Sequence, residues 1–147
     1  MMCADDPKFK WVKDEAAVDS GAIDCAANSA RYPHLKVKQT PESQRGDCWT
    51  CAGGTEIRKE GEVELAWMTS EGDDHTVKIK TGAVGRTLIS ADRLLEKGHE
   101  VILSKKSPRI ITSSGKAIAL RRKQGMFILD MWYKVPVTPA GFTRQGS

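Results

Sequence analysis

The chain has 147 residues, enough for one domain with a core of its own. Hydrophobic residues at 39% and charged residues at 29% exclude a disordered chain, and no apolar run nears the roughly 18 residues of a membrane helix. The net charge of +4 is modest and aromatics stand at 6% without interleaving among the basic residues, so neither a nucleic-acid nor a membrane partner is expected. Two basic clusters, Lys105-Lys106 and Arg121-Arg122-Lys123, read as solvated loops. The start, Met1-Met2-Cys3-Ala4-Asp5-Asp6, lacks the basic-then-apolar order of a secretory signal, which makes a cytoplasmic protein the expectation.

In chain order, residues 1–8 are polar and expected to fray, and Phe9-Lys10-Trp11-Val12 alternates as a short strand. Asp14-Glu15 interrupts it, and Ala16-Ala17-Val18 forms a second strand ending at Asp19. Asp19-Ser20-Gly21-Ala22 then reads as a turn. Asp and Ser bond local backbone and Gly bends freely, so the four residues suit an ordinary turn as well as a rigidly presented carboxylate. Ile23 to Asn28 is too brief to assign to strand or helix, and Ser29 to Gly46 reads as loop with one strand at Leu35-Lys36-Val37.

A clear β section follows. Cys48 to Ala52 and Thr55 to Arg58 flank Gly53-Gly54 as a hairpin, and 62–68 and 75–80 alternate, so 56–80 is expected to form a meander. Trp49 and Trp67 fit strand packing. Ser90 and Gly98 bracket one helix over Ala91 to Lys97, with Leu94 and Leu95 on its buried side. Strands at 100–103, 109–112, 117–120 and 126–133 complete the chain, and the tail from Val135 has no pattern. The expected fold is all-β with one short helix, barrel-like, the domain spanning 9–134 between flexible ends at 1–8 and 135–147.

Cys48-Trp49-Thr50-Cys51 has the spacing of zinc and redox sites, but Cys3 and Cys25 stand alone and His34, His75 and His99 have no finger spacing. Neither a metal nor a cofactor is expected, and Cys48 and Cys51 read as two residues on one strand edge.

Three features in order point further: Asp19-Ser20-Gly21-Ala22, the glycine-tipped unit from Thr50 to Gly61, and Leu88-Ile89-Ser90 running into a leucine-bearing helix that stops at Gly98. Together they resemble a retropepsin, the single-lobed aspartic protease of retroviruses and retrotransposons, and more narrowly the protease of copia-like transposon polyproteins. The resemblance covers roughly residues 10 to 133. It implies a closed barrel corresponding to half of an acid protease, working as a homodimer without cofactor. Asp19 would be the catalytic residue, Ser20 would grip backbone between the two active-site loops, and Gly21 would leave room for the facing loop. Ala22 and Asp24 would lie along the substrate, and Cys51, Ala52, Gly53, Gly54 and Thr55 would form the flap tip. The implied substrate is an extended peptide or the polyprotein that contains the domain, in the cytoplasm or in virus-like particles. Ser90 occupies a position where many retroviral enzymes have glycine, and the flap tip is less glycine-rich than theirs.

Alternatives stand beside this reading. The chain also suits a catalytically silent barrel that dimerises or binds peptides, or an interaction module using its basic turns. Asp24 suits a surface turn carboxylate, Asp130 suits a partner for a nearby Arg or Lys, and the strand Phe127 to Tyr133 either builds a dimer sheet or closes the barrel.

Overall fold

A computed structural model describes residues 8–137. The chain is mostly β. Strand β1 (Phe9–Asp19) runs unbroken through Asp14-Glu15, where the sequence suggested an interruption. Its charges survive there because both are answered. Asp14 turns inward at 4% exposure, accepting from the Thr87 hydroxyl at 2.7 Å and from Arg31 at 3.3 Å. Glu15 turns outward to Arg121 and Lys123.

Strand β12 (Met126–Pro136) pairs antiparallel with β1 from Phe9↔Pro136 to Val18↔Phe127. The C-terminal strand is therefore spent inside its own chain, and it extends past the expected boundary at 134. Val135 is buried opposite Lys10. The expectations for 1–7 and 138–147 lie outside the described residues.

At its far end β1 pairs in parallel with β7 (Leu88–Ser90). Between β12 and β7 the run Ala16-Ala17-Val18 is covered on both faces, which is why it reads as continuous apolar rather than alternating. The seven-stranded sheet continues from β7 through β2 (Ala26–Ala27), β6 (Asp74–Thr81) and β5 (Gly61–Met68) to β12, with β11 (Arg121–Lys123) on its margin. Its core includes Val63, Leu65, Ile79, Ile89, Leu129 and Met131. A second sheet is formed by β8 (Glu100–Ile102), β9 (Arg109–Ile111) and β10 (Ala117–Ala119), and a hairpin by β3 (Cys48–Thr50) and β4 (Glu56–Arg58).

Several local expectations change. The meander is only the β5–β6 hairpin, since β4 pairs with β3. Leu35–Val37 is not a strand; one bridge, Lys38↔Glu62, stands beyond it. A second helix, α1 (Pro41–Arg45), occupies the expected loop. Its signals are local: Thr40 and Ser43 form a reciprocal capping box, Pro41 starts the helix, and Gly46 closes it at φ 79°. Helix α2 (Ala91–Glu96) is capped by Ser90 as expected, yet Leu95 is 53% exposed and Ala91 takes its buried place. No helix among the described residues is long and apolar enough to cross a membrane.

Candidate functional site

The sheet delivers Asp19 to the end of β1, directly beside Ser90 on β7. Asp19 is half-buried, and its Oδ1 accepts the Gly21 backbone N–H at 2.8 Å. That bond folds the turn back on the carboxylate. A Cβ added at Gly21 would stand 3.4 Å from the same oxygen, so residue 21 lies against the carboxylate itself. Ser20 is exposed, and its hydroxyl has no partner among the described residues.

Ser90, fully buried, holds the turn from behind. Its hydroxyl donates to the Ala22 carbonyl at 2.7 Å and accepts the Arg93 N–H at 3.2 Å, while its own N–H meets Cys25 Sγ at 3.3 Å. The Ser90 side chain thus does two jobs, capping α2 and fixing the loop after Asp19. Burial also pushes the Cys25 thiol up from its ordinary value.

Asp24 is not a surface carboxylate. It is 7% exposed, with Oδ2 accepting from Trp49 Nε1 at 3.2 Å and Oδ1 from Arg93 Nη2 at 3.4 Å. Lys59 Nζ lies 3.5 Å from Oδ2 and 3.2 Å from Glu42. Arg93 also donates through Nε to the Ile23 carbonyl at 3.0 Å. One carboxylate therefore joins the Asp19 loop, the first leg of the hairpin, the residue after its second leg, and α2. Glu42 completes the group through Lys80 and Lys59, whose hydrogen bonds hold its carboxyl below the usual carboxylate range. Glu42, Lys59 and Lys80 were not singled out by sequence reasoning; they are far apart in the chain, and no spacing rule links them.

The hairpin holds Cys51, Ala52, Gly53, Gly54 and Thr55 in one exposed tip. Cys51 N donates to the Thr55 carbonyl at 2.8 Å, and Gly54 takes φ 87°. Register runs Cys48↔Arg58, Trp49↔Ile57 and Thr50↔Glu56. The base of the hairpin sits on Gly82, where a Cβ would fall 2.7 Å from the Trp49 ring and 2.8 Å from the Arg58 carbonyl. Trp49 is half-buried there, with Lys59 over its ring at 5.5 Å, while Trp67 is buried against His75. Cys48 and Cys51 are free and exposed. No hydrogen bond or ion pair among the described residues links the tip to Asp19–Ala22; the connection runs through the base, by Trp49 and Asp24.

The basic cluster near the C-terminus is largely answered within the chain. Arg121 grips Asp130 through both carboxylate oxygens at 2.7 and 2.8 Å and reaches Glu15 at 2.6 Å, with Lys123 on Glu15 at 2.8 Å. These hydrogen bonds, Lys123 first and then Arg121, lower the Glu15 carboxyl from 4.5 to about 2. Arg122 lies over the Phe127 ring at 4.4 Å. Among the described residues no three His, Cys, Asp or Glu gather as a metal site. In comparison with protein-family models, curated proteins and solved structures, nothing matches this chain.

Proposed function

We propose that the chain is an aspartic endopeptidase of retropepsin type, active as a homodimer with Asp19 supplied once by each copy. The observation that carries this reading is the presentation of Asp19: a carboxylate at a strand end, oriented by the Gly21 N–H and pinned from behind by Ser90. The hairpin supports it as a flap anchored at its base to the same loop and open at its tip. The ring of strand pairings from β1 through β12 and back to β1 is compatible with the closed acid-protease half.

The chemistry requires two carboxylates. Side by side they share one proton, because like charges about 3 Å apart do not both ionise. The ionised member takes a proton from water as it attacks the peptide carbonyl. The protonated member hydrogen-bonds that carbonyl oxygen, and the proton then passes to the departing amine. Asp24 does not serve as the second member, since its own chain occupies both its oxygens. A second Asp19 across a two-fold axis does. The substrate lies extended beneath two flap tips, pairing backbone with both copies, and a polyprotein that includes this domain is the natural candidate.

The test is peptide cleavage at mildly acidic pH by the purified chain. Activity inhibited by pepstatin and lost in Asp19→Asn supports the reading, and Asp19→Asn with full activity rejects it. A folded dimer with no cleavage would favour the catalytically silent, peptide-binding barrel instead.

A further inference from the structure

Strand β5 has an unfinished edge at the end of the sheet away from Asp19. On one side it pairs with β6 over its whole length. On the other, among the described residues, it meets a partner only at its ends, Lys38 at Glu62 and Trp132 at Met68. The Glu62 N–H and carbonyl both bond Lys38 across this edge, so by the two-residue period of a strand the backbone groups of Glu64 and Ala66 point the same way. No strand among the described residues receives them. Past Trp132, β12 has no further pairing with β5, and Lys134 lines the cleft.

Between the two edges lies a cleft of about 660 Å³, within the size range of built binding sites. Its walls are aromatic: Trp11 at 48% exposure, Trp132, and Trp67 stacked on His75 at 5.0 Å. Trp67 is 8% exposed and its indole N–H has no hydrogen-bond partner among the described residues. Two carboxylates, Glu64 and Asp74, also line the cleft without an ion pair among the described residues, although Lys78 stands opposite Glu64 across the strands. Lysines of the chain already stand over both outer rings, Lys134 over Trp11 at 5.4 Å and Lys13 over Trp132 at 5.8 Å.

We propose that this cleft binds an extended, basic peptide segment that adds to the β5 edge. The ladder bonds go to Glu64 and Ala66, and an Arg or Lys side chain lies against the tryptophan faces with its charge answered by Glu64 and Asp74. An unpaired strand edge asks for a backbone, and carboxylates with no ion pair among the described residues ask for a cation. The site is separate from Asp19 and does not depend on the peptidase reading.

The experiment uses the full chain carrying Asp19→Asn, so that no probe is cleaved, and an acetylated peptide Val-Arg-Val-Thr-Val-Arg-Val followed by fluorescence anisotropy and by amide and indole NMR shifts. The Arg peptide should bind and shift Glu64, Ala66 and the indoles of Trp11 and Trp132. Its Glu-for-Arg counterpart should bind about tenfold more weakly or worse. Glu64→Lys with Asp74→Lys, both exposed positions, should invert that preference, and Trp11→Ser should weaken the Arg peptide. Equal binding of both peptides, or an unchanged preference in the double variant, would overturn the proposal. Shifts confined to 19–22 and 51–55 would do so too, as would the same Glu64 and Ala66 shifts produced by raising protein concentration alone, which would assign the edge to a second copy.

Discussion

Replacing Asp24 by Asn should loosen the junction between the hairpin and the Asp19 loop. Asparagine keeps an acceptor for Trp49 but removes the charge facing Lys59, which is only 9% exposed. A hydrogen bond to a charged group contributes about 1.5–3 kcal/mol. Stripping one partner from a fully buried pair costs about 3–5 kcal/mol, but Lys59 retains Glu42 at 3.2 Å, which holds the loss to the lower range. Arg93 is half exposed and adds little. The expected loss is about 2 kcal/mol, a fall in Tm of roughly 6 °C for a chain of this size. Urea unfolding followed by tryptophan fluorescence measures it. Trp49→Phe should cost about 1 kcal/mol, and the double variant should cost less than the sum because Asp24→Asn weakens, by removing the charge, the same bond that Trp49→Phe removes. Asp24→Asn within about 0.5 kcal/mol of the parent, or strict additivity with Trp49→Phe, would refute the junction.

Other consequences are equally direct. Ser90→Ala removes the α2 cap and leaves the Ala22 carbonyl without its hydroxyl, so it should cost about 2 kcal/mol in urea unfolding. Gly82→Ala drives a methyl into the Trp49 ring and the Arg58 carbonyl; it should cost about 1–3 kcal/mol and speed hydrogen exchange across β3 and β4. Because the Glu15 carboxyl is lowered in the folded chain to about 2, its ion pairs stabilise above pH 4.5 and are lost as the pH falls from there towards 2. Glu15→Gln should flatten that part of an acid titration of stability, and an unchanged curve would show that the contacts with Lys123 and Arg121 contribute nothing.

Much of the β section was legible because its signals are local. Alternation announced β5 and β6, and the glycine pair announced the hairpin. Ser90 and Gly98 bracketed α2. The missed helix had local signals of a different kind: α1 was hidden in a polar stretch holding Pro33 and Pro41, although Thr40, Ser43 and Gly46 spelled both of its ends. Asp14-Glu15 looked like a break because charges in a strand usually face solvent, and nothing near it in sequence names Thr87 or Arg31, which satisfy Asp14. At the candidate site, Asp19, Gly21 and the hairpin tip were readable as motifs. The inward turn of Asp24 was not, since its partners Trp49, Lys59 and Arg93 come from three separate segments. The role of Ser90 lies between these cases: its cap was visible in sequence, its bond to the Ala22 carbonyl only in space.

The most direct measurement is peptidase activity in mixtures of the parent chain with Asp19→Asn at constant total concentration, alongside a dilution series of the parent alone. If Asp19 acts in pairs, activity follows the square of the parent fraction, specific activity falls on dilution with the dimer, and pure Asp19→Asn is inactive at unchanged mass and fold. Activity proportional to the parent fraction and independent of dilution, or activity surviving in Asp19→Asn, would contradict a shared site.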